Sequence, residues 1–581
     1  MNNNFYSLLK TNKNNFEKYQ KVEKIDLKNF IFPSKLKLRN TNIRNSLIFK
    51  RLNKFRYKNN LNFTDKNFID ISLNLSDEIK NISKQLGIKN QINFCCQILK
   101  NSQKYNEINY ILYILKDIIE KLNKKEILEN IKEDFINSLF IAYNNNNNIN
   151  NVYQDNFIYY FLVILENLTT FNFDNKINIY TSYLYSNKNF MNELINIIQN
   201  GKNLINIGEA LIIIGNIIDD YHNCICYLND ENLTHKLAFY KLIINCLNNT
   251  NNIIELNNYD ILWIVIWNFN QLIKYSNQDY IDLYFKNGML NSFKIICGIL
   301  NTDNIINTNN KLASECLEII FNISQDKKNI EFILKDINIC ELIKNLIRND
   351  LNDKNFFNNI FCIMANLTGF SNEYITKFND LNIFSILQKF LINFFNNNKN
   401  FDNLDFLENL FRFIYNSLAF KSSRTNIIKY KIFEILLNNI NLFYCNINLL
   451  KKLFETILNI LELANNGNDR NRVYIEFFRL NIINICLENI KKIYNYNRFD
   501  DINKINDIAF YILKILTIII EFSYSLVKNI NIVLITYLEI KNTLENLNKK
   551  TNINDKISVY IELILKKYYN KNNFYNYGNL M

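Results

Sequence analysis

The chain has 581 residues, of which 48% are hydrophobic, and a formal net charge of +12, but it contains a single proline and only nine glycines. Compact β-sandwiches and α/β enzymes need glycine and proline for their turns and phosphate-binding loops, so this composition predicts an all-α protein with Asn-rich turns. There are two histidines, and no Gly-rich phosphate loop, nucleophile elbow or metal-ligand spacing, so we expect no enzymatic activity, no cofactor and no metal.

Neither the opening of the sequence nor its apolar stretches predict a membrane protein. The first residues lack the charged segment and apolar stretch of a secretory signal. The most apolar stretch, Tyr511 to Phe522, is interrupted by Lys514 and is too short to span a bilayer. We therefore expect a soluble protein in a reducing compartment.

The first tenth of the chain is strongly basic. Residues 1–60 contain fifteen Lys and Arg against three Asp and Glu, so they carry the whole net charge. Such a block is typical of a flexible arm, here 1–65, that binds an acidic partner surface or nucleic acid, and the alternative is a solvated tail. Ile43, Leu47 and Leu52 recur at roughly helical spacing, which favours an arm that folds when it docks. The basic residues of the arm include Lys35, Lys37, Arg39, Arg44, Lys50, Arg51, Lys54, Arg56 and Lys58.

Residues 66–581 show helical periodicity with Asn-rich breaks. The segments that begin at Gln278, Asn329 and Asn372 can be laid over one another, each with an apolar helix, a short break near Asn or Asp and a second apolar helix. A helix trio that recurs roughly every forty to fifty residues is typical of armadillo or HEAT arrays. We predict a right-handed armadillo superhelical solenoid of about ten repeats. A single large helical bundle is the alternative.

An apolar-x-Asn motif recurs within the apolar helices roughly every fifty residues. A buried amide is unfavourable unless it is hydrogen bonded, so amides on the same face of stacked helices predict a ladder along a concave groove. Such a ladder can bind the main chain of an extended peptide. The alternative is that each amide bonds its own neighbours. The motif ends at Asn167, Asn216, Asn268, Asn322, Asn366, Asn416 and Asn459.

At these positions the sequence resembles the importin-α family. Residues 215–220, Gly-Asn-Ile-Ile-Asp-Asp, are similar to a turn of that family, and the resemblance places Asp220 where the family has the aspartate that pairs with a signal lysine. It places Glu315 at another acidic groove position, and the basic arm where the family has its importin-β-binding segment. Segments 366–369, 75–102 and 557–569 resemble further parts of the family in the same order.

The family's tryptophans, four residues before each ladder asparagine, are missing. Those positions hold Val163, Ile212, Ile264, Glu318, Cys362, Arg412 and Glu455. Trp263 and Trp267 lie within a turn of the expected place, as a shifted cage for lysine side chains or as core. Asn409 replaces an acid in the C-terminal half, and we expect any surviving peptide site between Asn167 and Glu315.

Three functions remain open. The resemblance implies a nuclear-import adaptor that shuttles between cytoplasm and nucleus, binds basic signals of cargo proteins along the ladder, and binds an importin-β-like carrier through its arm. An export receptor at the C-terminal repeats is a further implied partner. The second function is an armadillo scaffold that has lost such signal binding, which the missing tryptophans favour. The third is nucleic-acid binding by the arm, which has the charge but no interleaved aromatic platform.

Overall fold

The structure is a computed structural model that describes most of the chain beyond residue 86. The described ranges are 87–146, 154–170, 179–200, 203–225, 259–274, 278–286, 288–300, 310–331, 338–348, 354–397, 404–465, 467–495, 502–526, 530–549 and 555–569. The predicted basic arm, 1–65, lies outside them. The contacts of the chain group into two compact units, Met1–Tyr221 and His222–Met581.

In the described ranges of the first unit, all regular structure is helical. Helix α2 packs on α5, and α6 packs on α7. The Tyr180 hydroxyl donates to the main-chain oxygen of Ile131 over 3.0 Å and thereby ties α6 to the end of α3. The helices are α1 (87–101), α2 (Tyr105–Lys121), α3 (Lys124–Asn130), α4 (Glu133–Asn146), α5 (Gln154–Thr170), α6 (Ile179–Ser186), α7 (Lys188–Asn200) and α8 (Leu204–Ile225), whose last residues belong to the second unit.

The described part of the second unit is also built of helices. They are α9 (Tyr259–Lys274), α10 (Gln278–Lys286), α11 (Met289–Leu300), α12 (Asn310–Ser324), α13 (Lys327–Asn329), α14 (Ile339–Arg348), α15 (Lys354–Phe370), α16 (Asn372–Asp380), α17 (Ile383–Asn397), α18 (Asp405–Ser417), α19 (Lys421–Lys429), α20 (Ile432–Asn438), α21 (Ile447–Asn465), α22 (Arg470–Arg479), α23 (Ile482–Asn495), α24 (Ile502–Leu526), α25 (Ile530–Asn548) and α26 (Asp555–Tyr569). A 3₁₀ helix, Ile440–Cys445, lies between α20 and α21.

Helices of the second unit stack in three rows. In one row α9, α12, α15, α18, α21 and α24 each pack on the next, in a second α16, α19 and α22 do so, and in a third α14, α17 and α20 do so. A triplet such as α16, α17 and α18 contributes one helix to each row. This is the helix trio that the sequence periodicity predicted, and each trio buries its apolar faces against its neighbours. Fully buried rings, including Phe361, Phe378, Phe384 and Phe411, lie between the rows.

A left-handed residue connects the first and second helices of four of these trios. The backbone φ angle is 95° at Gly288, 53° at Asn382, 54° at Lys431 and 56° at Asn481, and each residue directly precedes α11, α17, α20 or α23. Glycine and asparagine adopt this conformation readily, whereas lysine does so at an energetic cost. The breaks at Asn382 and Asn481 are therefore sharp turns in the fold.

Candidate peptide-binding site: the asparagine ladder

The seven asparagines of the apolar-x-Asn motif lie on helices α5, α8, α9, α12, α15, α18 and α21. We call this set the asparagine ladder, and the helices that carry it the ladder helices. Asn322 and Asn416 are half-buried, and the other five side chains are buried. In the second unit the ladder helices form a single stacked row, so the motif marks the equivalent helix of successive repeats.

Four ladder amides reach the preceding ladder helix at an equivalent place. In each pair, the Asn donates to the side chain that lies two residues after the preceding ladder asparagine. The Nδ2 to acceptor distances are 3.1 Å from Asn216 to Thr169 Oγ1, 2.9 Å from Asn322 to Asn270 Oδ1, 3.1 Å from Asn366 to Ser324 Oγ, and 3.4 Å from Asn416 to Thr368 Oγ1. These hydrogen bonds satisfy buried amides and fix the register between neighbouring helices.

Two other ladder amides bond within their own helix. Asn167 Nδ2 donates to the main-chain oxygen of Val163 over 2.8 Å, and Asn268 Nδ2 donates to that of Ile264 over 2.9 Å. This is the local bonding that the sequence left open as an alternative to peptide binding. Most ladder amides therefore form hydrogen bonds within or between the stacked helices. Their role in peptide binding stays a prediction.

The ladder still offers hydrogen-bonding capacity to a ligand. A carboxamide has two N–H donors and an oxygen with two lone pairs, and Asn322, Asn366 and Asn416 each use only Nδ2. No group in the described residues donates to the Oδ1 atoms of these three side chains, and none of these oxygens is sealed from solvent. They are open acceptors on successive helices of one row.

Asn416 also donates to the main-chain oxygen of Ala365 over 2.9 Å. Gly369 leaves room for this approach, because a Cβ at that residue would lie in tight contact with Asn416 Nδ2, at 3.3 Å. Residues 366–369, which resemble a family turn, thus supply two features of this junction: the acceptor Thr368 and the space at Gly369.

Acidic side chains lie at the position seven residues before two ladder asparagines. Asn270 Nδ2 donates to Glu315 Oε2 over 2.8 Å, so Glu315, Asn270 and Asn322 form one network between α9 and α12. Glu209 occupies the matching position before Asn216, is fully buried, and was missed from the sequence. The spacing to Asn216 would have identified it.

The positions that hold tryptophan in the importin-α family contain buried apolar side chains in the first ladder helices. Val163, Ile212 and Ile264 are nearly inaccessible. Trp263 and Trp267 are 7% and 3% exposed, and their rings stack on each other with centroids 6.4 Å apart. The structure thus favours the core interpretation of the two tryptophans, because neither ring is free to hold a lysine side chain.

The C-terminal ladder helices carry a different polar set. Asn409 Nδ2 donates to Asn358 Oδ1 over 2.9 Å, and Asn409 Oδ1 accepts from Arg412 over 3.1 Å and from Cys362 Sγ over 3.4 Å. Burial raises the pKa of the Cys362 thiol to about 11, although the Arg412 charge acts in the opposite direction. On α21, Glu455 is paired with Lys452 at 2.9 Å.

Asn459 is the exception in the ladder. Its side chain is 8% exposed, it makes no hydrogen bond within the described residues, and its polar atoms are not sealed from solvent. The reason is in the sequence: the residue two after Asn416 is Leu418, which has no side-chain acceptor. The hydrogen bond from a ladder amide to the preceding ladder helix is therefore absent at the junction between α18 and α21.

Several predicted site residues lie outside the described part of the chain. Among them are the side chain of Asp220 and all the basic residues of the arm, so their roles stay predictions. Within the described residues no group of His, Cys, Asp and Glu side chains is arranged to hold a metal ion. No described helix is long and apolar enough to cross a membrane.

Buried thiols in the described ranges are poor nucleophiles. Burial raises the pKa of Cys95, Cys297 and Cys340 to about 12 in each case. These thiols are protonated near neutral pH, and the thiolate is the reactive form. They serve as small apolar core residues.

No family model matches the sequence, and no curated protein matches it either. A solved structure is similar to the chain, and it is described as showing how a conserved phosphorylation switch controls the interaction between cadherin and β-catenin. Its TM-score is 0.54 at 10% sequence identity, and the match covers 86% of this chain and 88% of that chain.

Two designed armadillo repeat proteins match over a shorter part of the chain. One covers 45% of this chain at 15% identity and a TM-score of 0.33, with 93% of its own length matched. The other, in complex with the peptide (KR)4, covers 45% at 14% identity and a TM-score of 0.33, with 94% of its length matched. The fold assignment rests on the longer match and on the helix trios. The chain has an all-α, armadillo-like fold.

Proposed function

We propose that the protein is a scaffold that binds extended peptide segments of partner proteins along its asparagine ladder. The observation that carries this proposal is the row of open Oδ1 acceptors on Asn322, Asn366 and Asn416. Main-chain N–H groups of an extended peptide donate on the same side at every second residue, so amides on successive helices suit such a ligand. Binding of this kind reads the main chain and is tolerant of side-chain sequence.

The more specific form of this proposal is a nuclear-import adaptor for basic signal peptides. The basic arm, the acidic residue Glu315 and the resemblance of residues 215–220 support it. The buried tryptophans and the aliphatic residues before the first ladder asparagines favour the second candidate, a scaffold without such signal binding. We expect the adaptor to bind basic peptides weakly, because cation–π contacts of roughly 0.5–2 kcal/mol each are missing.

A peptide-binding experiment tests the scaffold and the adaptor together. The full chain and a variant without residues 1–65 are titrated into labelled peptides of basic, neutral and acidic composition, and fluorescence anisotropy is measured at low salt. The scaffold predicts saturable binding of at least one peptide, and loss of binding when Asn322 and Asn366 are both changed to Ala. Absence of binding to all three peptides would contradict the scaffold.

The adaptor requires a preference for the basic peptide. The substitution Asp220→Lys should then abolish its binding, and the control Asp282→Lys, an exposed residue on α10, should leave it intact. A separate pull-down with residues 25–62 should capture an importin-β-like carrier. Capture of nucleic acid alone would instead support the third function, in which the arm binds nucleic acid.

A further inference from the structure

We infer that the junction between α18 and α21 is a subsite for an acidic extended segment, with its main chain on Asn459 and a carboxylate on Arg412. The inference rests on the proposed peptide-binding function and assigns a place and a charge to one ligand. It differs from the sequence expectation, which placed any peptide site between Asn167 and Glu315 and expected the ligand to be basic.

Asn459 supplies the main-chain contact. The other ladder amides of the second unit each use Nδ2 in a bond to the chain, whereas both the donor and the acceptor of Asn459 are unpartnered within the described residues. The polar atoms of Asn459 reach the surface and are not used by the described residues, so they are available to a ligand. A peptide unit offers one N–H and one C=O, which match the amide.

Arg412 supplies the charge. Its guanidinium is half-buried on α18, one of its N–H groups donates to the neutral Asn409 Oδ1, and it makes no ion pair within the described residues. Asn409 is itself held by Asn358 and Cys362, so it orients Arg412 without neutralising it. A partly buried guanidinium gains from a carboxylate, which it can bind through two parallel hydrogen bonds.

The neighbouring acidic side chains that the structure describes do not form an ion pair with Arg412. On α21, Lys451 pairs with Asp507, Lys452 with Glu455, and Glu462 with Lys514. Glu408 lies four residues before Arg412 on the same helix, but the two side chains form no ion pair. Among the described side chains, Arg412 is therefore the basic group of these two ladder helices that has no ion-pair partner.

The spacing of the two groups suits an extended chain. Arg412 is four residues before Asn416, on the helix that packs directly against the helix of Asn459. Packed helices lie roughly 8–10 Å apart, and an extended chain advances about 3.3 Å per residue. The guanidinium of Arg412 lies beside Asn409 and Cys362, so a segment that crosses α18 toward α21 would reach both groups.

The test uses the full chain and three labelled peptides of equal length, in which serine alternates with glutamate, glutamine or lysine. We expect the glutamate peptide to bind about tenfold more tightly than the glutamine peptide at low salt, and Arg412→Gln to remove this difference. The charge-matched control Arg472→Gln changes an exposed residue on α22 and should leave the preference intact. Glu408→Gln should increase the preference, since it removes a negative charge one helical turn from Arg412.

Two variants of the Asn459 contact complete the test. Asn459→Leu should weaken the glutamate and glutamine peptides alike, because the main-chain contact is lost. Leu418→Thr places an acceptor where the other junctions have one, so Asn459 should turn inward and peptide affinity should fall although Asn459 is unchanged. Thermal melting of each variant establishes that it is folded.

The outcomes separate this inference from the proposed function. If the glutamine or lysine peptide binds and the glutamate peptide shows no preference that depends on Arg412, the acidic subsite is wrong while the scaffold stands. An equal loss of the preference in Arg472→Gln would also overturn the subsite, since the effect would then be non-specific. If none of the three peptides binds, the scaffold fails and the subsite fails with it.

Discussion

The junction between α15 and α18 and the junction between α18 and α21 join equivalent helices of successive repeats, yet they are held together differently. At the first, Asn416 of α18 donates to Ala365 and Thr368 of α15, and Asn409 donates to Asn358. At the second, Asn459 makes no such bond within the described residues. The ladder thus stabilises one junction and leaves the next one open.

A buried ion pair instead joins the segments that directly follow the two helices of the second junction, α18 and α21. Arg424 of α19 binds Asp469, just before α22, through Nε at 2.7 Å and a second guanidinium nitrogen at 3.1 Å. It also donates to the main-chain oxygen of Leu418 over 2.8 Å. Leu418 has no side-chain acceptor for Asn459. Its main-chain oxygen accepts from Arg424. Where the ladder bond is absent, a buried polar contact thus joins the segments just after the two ladder helices.

The largest expected effect comes from removal of one partner of that ion pair. Asp469→Ala leaves Arg424 buried without a counter-charge, so we expect the free energy of unfolding to fall by about 3–5 kcal/mol. Urea unfolding followed by circular dichroism measures it. The double variant Arg424→Met with Asp469→Leu should recover most of the loss, because it leaves no unpaired charge. A loss below about 1 kcal/mol in the single variant would show that the pair is solvated.

The same pair predicts a pH dependence. Burial by itself would raise the pKa of Asp469, but the hydrogen bonds and charge of Arg424 outweigh it and hold the pKa below its usual value. An acid whose pKa is lowered by folding stabilises the protein above its unfolded pKa of about 3.9. That stabilisation is lost as the pH falls through the folded pKa. Acid unfolding of Asp469→Asn should lack this contribution, which equilibrium unfolding at a series of acidic pH values measures.

A smaller effect is expected from Gly467→Ala, which perturbs the ion pair without a change in charge. The new Cβ would lie 2.5 Å from Asp469 Oδ1 and 3.4 Å from the Arg424 guanidinium. Such a close contact forces the carboxylate to move, and we expect a loss of about 1–3 kcal/mol in unfolding free energy. In the background Asp469→Ala the same substitution should have little effect, because the obstructing oxygen is gone. Equal losses in both backgrounds would contradict the proposed clash.

The ladder comparison itself is tested by a matched pair, Asn416→Ala and Asn459→Ala. Both remove the same atoms, but only Asn416 makes hydrogen bonds to the preceding helix. We expect Asn416→Ala to be less stable than Asn459→Ala by about 1 kcal/mol, the net contribution of one such bond. Equal stabilities, measured by urea unfolding under the same conditions, would mean that the bonds to Ala365 and Thr368 do not stabilise the junction.

The sequence predicted the helix trios and the place of the ladder asparagines, because both follow from local periodicity. It did not predict what the amides bond to. Thr169, Ser324 and Thr368 become acceptors only when one ladder helix is placed on the next, and threonine or serine near a helix end is common for other reasons. The Arg424–Asp469 pair joins residues of different repeats and leaves no periodic pattern.

The burial of Trp263 and Trp267 could not be predicted from local periodicity either. Their spacing to Asn268 allowed a cage or a core position, and helical periodicity does not distinguish two adjacent faces of one apolar helix. Only the packing of the second unit shows the rings buried and stacked on each other. The burial of both rings follows from tertiary contacts that helical periodicity does not contain.

The smallest expected effect concerns the left-handed turns between the first and second helices of the trios, where one turn has lysine and two have asparagine. Asn382 and Asn481 occupy left-handed positions that asparagine tolerates, while the equivalent Lys431 has a φ of 54°. Lys431→Gly should therefore stabilise the protein by about 0.5–1 kcal/mol, since the left-handed conformation is unfavourable for a residue with a Cβ and costs glycine nothing sterically. The control Lys389→Gly, at an exposed position within α17, should instead destabilise by about 1 kcal/mol. Opposite signs in urea unfolding would show that the turn conformation, not the loss of a lysine, sets the effect, and a destabilised Lys431→Gly would contradict the left-handed turn.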